Sequence, residues 1–313
     1  MFGRIVGWTA VVICTLISGF WGFWGAVEGF HEGWWHGSLA GNLFHYSLYL
    51  LPGLAVAATG VLSLHRPRIG MAMFGLMGVF VALWVLSGNF RVTSGNWPIV
   101  ATFTALPVAL GLMLLLGDPR PRRVSAWIMG GIPVLVIAVS GCQMAVGVLQ
   151  RVDDGNRGTR IVHGNGVVLE WVGAGPGWER QGGVSWWEAS KRCAYLSVDG
   201  GIICETPQNI WRLPTADELV RSLSQHGRNC GGIWDTATGS ARYRLRPDKE
   251  SPLWDTNSQV TYYWTSTEKD KAHAYWVVYH GGVFALPKTH APGNAGFRAV
   301  RAVRTDDRSG QRK

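Results

Sequence analysis

The chain has 313 residues, room for two domains of ordinary size, with 47% hydrophobic residues and a net charge of +9. Seven Lys or Arg and three Asp or Glu precede Arg151, against twenty-two and seventeen from Arg151 onward. Neither part is basic enough to argue for nucleic acid, and the first is too poor in charge to be an ordinary water-soluble domain.

Five apolar stretches, residues 5–27, 43–64, 69–90, 98–117 and 124–147, contain no Asp, Glu, Lys or Arg. A bilayer crossing takes about 20 apolar residues as helix, so the reading is five transmembrane helices. Arg4, Arg66, Arg68, Arg120, Arg122 and Arg123 fall in the loops on one side, and only Arg91, with Glu28 and Glu32, on the other. Positive residues favour the cytoplasm, which puts the N-terminus inside and the chain after Gln150 outside. Trp21, Phe23 and Trp24 end the first span with no small-residue cleavage site, so it reads as a retained anchor. His31, Glu32 and His36, with His45 near one end of the second span, have donor chemistry for a metal or haem. Their spacing matches no ligand motif, and the segment reads as an interfacial tryptophan-rich loop without metal or cofactor. Ser140 and Gln143 are expected to bond between helices.

The composition changes at Arg151. Residues 151–165 read as a linker, 166–305 as an extracytoplasmic domain and 306–313 as a disordered tail. Asp153 and Asp154 lack the spacing of a calcium loop and read as solvated chain. Ser185 with Glu188 and Thr215 with Glu218 are capping boxes that open two helices. Strand-like runs cover 167–172, 262–267, 274–279 and 297–305, with a turn at Gly281 and Gly282 before 283–286. Helices early and strands late make this an α+β domain. Cys14 and Cys142 fall within spans. Among Cys193, Cys204 and Cys230 the second and third flank the later helix in loop-like sequence. They are expected to form a disulfide in an oxidising compartment.

The ordered set Trp187–Leu196, Trp211-Arg212-Leu213-Pro214-Thr215 with Glu218, Tyr263-Trp264 and Gly296-Phe297-Arg298 to Arg301 resembles the Lcl C-terminal domain family, over residues 167–304. The resemblance implies a C-type-lectin-like fold related to formylglycine-generating enzymes. The calcium-binding sugar loops of such lectins do not occur here, and Ala302 stands where some relatives carry the cysteine that pairs with the first helix. Trp211, Arg212, Leu213, Pro214, Thr215, Glu218, Trp264, Phe297 and Arg298 read as structural, because large aromatic residues supply core area.

Arg242, Arg244 and Arg246 alternate with period two and would share one face of an extended strand. Guanidinium groups suit phosphate, sulfate or carboxylate, and Tyr243 or Trp254 would add a stacking surface. No nucleophile elbow, zinc motif or phosphate loop occurs, so no catalytic residue is assigned. The expectation is a multi-pass protein of the cytoplasmic (inner) membrane whose outer domain binds or senses anionic glycans or lipid headgroups. Its partners would be the lipid bilayer and other membrane proteins. The alternatives are a cysteine-dependent modifying enzyme resembling formylglycine-generating enzymes, and a structural subunit of a larger membrane complex.

Overall fold

The computed structural model describes residues 1–89, 97–180, 182–259 and 262–303. Arg91, Thr305 and the tail 306–313 lie outside the described residues. The chain forms two compact units, residues 1–34 with 38–146, and residues from 147 onward with 35–37.

The first unit is helical: α1 (Phe2–His31), α2 (Leu39–His65), α3 (Pro67–Trp84), α4 (Trp97–Leu116), α5 (Arg122–Ala126) and α6 (Ile132–Leu149). A π turn, Trp127–Gly131, joins α5 and α6 into one stretch. Four helical stretches, Phe2–His31, Leu39–His65, Pro67–Ser87 and Arg122–Leu149, are long and apolar enough to cross a membrane. The remaining expected span coincides with α4, whose apolar part, Val100–Leu116, is shorter. These helices are hydrophobic all round. Leu16, Phe20, Phe44, Leu51, Leu76 and Phe80 stay exposed, where a water-soluble helix would present charge.

Small residues hold the helices together. Ser18, Gly22, Gly25 and Gly29 make one face of α1 against α2. A Cβ at Gly53 would lie 2.7 Å from the Gly22 nitrogen and 3.0 Å from the Ser18 carbonyl oxygen. Close backbone approach of this kind supplies packing where lipid removes the hydrophobic drive. Hydroxyls buried among the helices are satisfied locally: Ser18 Oγ donates to Cys14 O at 2.7 Å and Ser63 Oγ to Thr59 O at 2.7 Å. Ser140 does the same, donating to Val136 O at 2.7 Å within its own helix, so the expected bond to a neighbouring helix is not made. Gln143 is exposed.

The second unit is β-rich. Its strands are β1 (Arg160–His163), β2 (Val168–Trp171), β3 (Trp178–Glu179), β4 (Ser224–Gln225), β5 (Arg228–Asn229), β6 (Ile233–Asp235), β7 (Ser240–Arg242), β8 (Tyr262–Glu268), β9 (His273–Val278), β10 (Val283–Pro287), β11 (Ala295–Arg298) and β12 (Val300–Ala302). Two helices, α7 (Trp186–Tyr195) and α8 (Ala216–Ser222), lie between β3 and β4 in the chain. The larger sheet has the order β10-β9-β8-β11-β3, and β2 lies between β1 and β12 in a smaller one. The expected runs at 167–172, 262–267 and 274–279 coincide with β2, β8 and β9. The expected strand from 297 is divided, because the chain changes sheets at Ala299. That residue donates to Gly177 O and accepts from Val172 N, serving neither β11 nor β12 in their ladders.

Both helix starts follow from the caps. Thr215 Oγ1 accepts from Glu218 N at 3.1 Å while Glu218 accepts from Thr215 N at 2.8 Å, a complete box. Ser185 accepts from Glu188 N at 3.3 Å, but the Glu188 carboxylate is drawn to Arg192 instead of closing its box. Trp171, Trp211, Trp264, Tyr263 and Phe297 are essentially buried in one core with Leu219 and Val220.

Two expectations are corrected. Residues 151–160 are largely exposed but are tethered to the β-rich unit rather than forming a free linker. Arg151 pairs with Asp248 at 2.9 Å, Val152 N donates to Glu250 at 3.0 Å, and Arg157 bridges Asp153 and Asp255. Arg160 then opens β1, so the folded domain begins before residue 166. The Cys204–Cys230 disulfide is absent, and all five cysteines are free. Cys204 N is tied to Tyr195 O at the end of α7. Cys230 N is tied to Leu223 O at the end of α8, so each backbone is fixed to a different helix terminus.

Candidate functional site

Charge pairing distinguishes four arginines of the β-rich unit. Among its described residues, Arg151, Arg157, Arg160, Arg180, Arg192, Arg212, Arg221 and Arg301 all form ion pairs. Arg298 is buried and bonded to backbone carbonyls. Arg228, Arg242, Arg244 and Arg246 are exposed and form no ion pair with any described residue. Unpaired guanidinium groups retain their full capacity for an external anion.

Two short hairpins and the segment after them carry these four. β4 and β5 pair Gln225 with Arg228, and β6 and β7 pair Ile233 with Arg242. Cys230 joins the hairpins: its carbonyl accepts from Arg244 N at 2.9 Å and Leu245 N at 3.2 Å. Asp248 N donates to Ser224 O at 3.2 Å, which returns the chain after Arg246 to the first hairpin. Gly231, at φ 63°, lies directly under the Arg244 guanidinium, where a Cβ would collide with it. β7 ends at Arg242, so the three arginines do not share one strand as expected. The inward–outward alternation continues without the ladder: Arg242, Arg244 and Arg246 point out, while Tyr243 and Leu245 are half-buried. Asp235, on the second hairpin, is held below the usual carboxyl range by the Thr238 side chain and the backbone N–H groups of Ala237 and Thr238, with a smaller contribution from the charge of Arg242, which lies too far off to form an ion pair.

The aromatic partners assigned to this face are corrected. Trp254 is 2% exposed and stacks on Tyr263 with ring centroids 4.0 Å apart, so it belongs to the core. Tyr243 turns inward against Gly232 and Gly281, and burial pushes its hydroxyl pKa up. Neither ring offers a stacking surface. Arg228 escaped sequence reading because its only signal is the lack of a carboxylate partner in space.

The motif residues are packed. Trp211 Nε1 donates to Ser197 O at 2.9 Å, Trp264 Nε1 to Val184 O at 2.8 Å, and Pro214 O accepts from Ser266 N at 2.8 Å. Arg212 binds Glu218 through two bonds of 2.7 and 2.6 Å, which locks the start of α8. Leu213 and Phe297 are buried in the core. Arg298, fully buried, donates to Val172 O, Pro252 O and Leu253 O and lies 3.7 Å from the centre of the Trp178 ring.

Cys193 and Cys230 offer little nucleophilic chemistry. Burial pushes the Cys193 pKa up, and burial with the charges of Glu250 and Asp248 pushes Cys230 up to about 12. A reactive cysteine needs the opposite environment. A small groove of about 220 Å³ on α7, lined by Glu188, Lys191, Arg192, Tyr195 and Ile203, is shallow and already ion-paired. No protein-family model, curated protein or solved structure matches the chain.

Proposed function

We propose that the chain is a membrane-anchored binding or sensing module whose β-rich unit recognises anionic groups through Arg228, Arg242, Arg244 and Arg246. The observation that carries this reading is their lack of ion pairs in a unit that neutralises nearly every other described arginine. The ligand class follows from guanidinium chemistry: phosphate, sulfate or carboxylate groups on a glycan or a lipid headgroup.

The anchor in this reading has five spans, α4 being the fourth, with an inward N-terminus. One end of the helical unit supports that orientation. Asp118 N donates to Gly3 O at 2.9 Å and Trp8 Nε1 to Arg120 O at 3.3 Å, gathering the N-terminus that carries Arg4 with Arg120 and the start of α5. That end is basic and would face the cytoplasm. The β-rich unit would then lie outside, in the periplasm or at the cell surface. The resemblance of its motifs to the Lcl C-terminal family, and the lectin-like fold that goes with it, belong to the same proposal.

The test uses the full chain in nanodiscs of zwitterionic lipid, titrated in parallel with dextran sulfate and with phosphatidylglycerol vesicles. Saturable binding to either, abolished in the Arg242→Ala, Arg244→Ala, Arg246→Ala variant, supports the reading and identifies the source of the anion. Binding to neither, or binding that the variant retains, overturns it.

A further inference from the structure

We propose that Glu28, His31 and Glu32, at the C-terminal end of α1, form a binding site for a divalent transition-metal ion. The proposal is independent of the arginine face. One carboxylate oxygen from each glutamate and one ring nitrogen of His31 all lie within 4.8 Å of one another. Three ligands of a common tetrahedral zinc ion, each about 2.0–2.2 Å from it, stand about 3.5 Å apart. Small side-chain rotations close that difference.

The helix supplies the arrangement. Spacings of three and four residues put all three side chains on one face. Glu32 is the C-cap residue, with its N–H on Glu28 O at 2.7 Å, so the last turn is fixed rather than frayed. The partial negative charge of a helix C-terminus adds to the pull on a cation. His31 Nδ1 already lies 3.2 Å from a Glu28 oxygen, and both side chains are about one-fifth exposed. Partial burial limits competition from water.

The neighbouring helix supports this turn. A Cβ at Gly29 would lie 2.6 Å from the Tyr46 ring, and one at Gly33 would lie 2.9 Å from the Tyr49 ring. The glycines therefore let two aromatic side chains of α2 press against the ligand-bearing turn, which preorganises it. One imidazole with two carboxylates suits zinc, manganese or ferrous iron better than calcium, which prefers an all-oxygen shell. Three protein ligands leave a coordination position for water or an incoming group. His31, Glu32, His36 and His45 are the donors that the sequence places near one another. The cluster instead uses Glu28, one helical turn earlier, and neither His36 nor His45 belongs to it.

The probe is Zn²⁺ alone, titrated calorimetrically into the full chain in detergent after chelator treatment, with Co²⁺ absorption as a readout of coordination. The expected result is one saturable equivalent, weakened at least about tenfold in His31→Ala and in Glu28→Gln, as for loss of a ligand. His45→Ala should bind like the parent. The isosteric Glu28→Gln decides the matter if His31→Ala does not fold. No saturable binding, unchanged binding in Glu28→Gln, or equal weakening in His45→Ala would overturn the proposal.

Discussion

Replacing Lys249 by Met should stabilise the β-rich unit at pH 7 and remove a pH dependence that the parent shows. Lys249 is 2% exposed, and among the described residues its ammonium donates only to Ser258 O. Burial, with repulsion from Arg151, lowers its pKa from 10.5 to about 7 against the opposing pull of Asp255 and Asp248. That shift corresponds to a differential cost of about 5 kcal/mol for the charged form, an upper figure before local relaxation. The penalty is complete below about pH 7, where the folded state must also carry the charge. It is relieved as pH rises toward 10.5, because there the unfolded chain binds a proton that the folded chain has shed. Stability should therefore climb toward a limiting slope of about 1.4 kcal/mol per pH unit, gaining about 2.3 kcal/mol between pH 7 and 9 because the slope is only half that at pH 7. Pulse proteolysis in urea of the detergent-solubilised chain reads this directly. With a urea slope of about 2 kcal/mol per molar, the parent midpoint should rise by about 1 M over that interval. Lys249→Met, similar in length and uncharged, should start higher at pH 7 and stay flat. A flat parent profile, or a variant less stable at pH 7, would refute the argument from burial.

Thr215→Ala removes one half of the capping box and should cost about 1 kcal/mol, seen as a lower urea midpoint of the same unit. Gly53→Leu forces a side chain into the backbone contact of α1 with α2, and should lower the thermal midpoint of the helical unit in detergent by circular dichroism. An unchanged midpoint would mean that the two backbones are not in contact. Maleimide labelling of the native chain should reach Cys204 before Cys193 or Cys230, whose thiols are buried and held protonated. Rapid labelling of Cys193 or Cys230 would revive a cysteine-dependent enzyme.

The elements most legible in the sequence were those specified by neighbours in the chain. Thr215 with Glu218, the glycine pair before β10 and the uncharged apolar stretches each carry their cause within a few residues. Features set by distant partners were not legible. Asp153 and Asp154 look like solvated linker because Asp255, Ser251 and Thr256, which hold this segment, are about a hundred residues away. Trp254 looks available for stacking because nothing near it in the chain announces Tyr263. Cys204 and Cys230 look like a pair because both flank α8, yet backbone bonds fix them to separate helix ends. Arg242, Arg244 and Arg246 were expected to share one face of a strand, but β7 ends at Arg242; their exposure alternates beyond it, and none of them forms an ion pair with a described residue.

That last point sets the most direct measurement. Arg242→Ala with Arg244→Ala, and Arg192→Ala with Arg221→Ala, remove the same charge from the same unit. The first pair is unpaired in the structure, and the second is bonded to Glu179, Glu188 and Asp217. Dextran sulfate affinity of the nanodisc-embedded chain should fall by about tenfold or more for the first variant, a loss of one or two charge-assisted contacts. It should change little for the second. Equal losses in both would mean that net charge alone attracts the polyanion, and would contradict a dedicated arginine face.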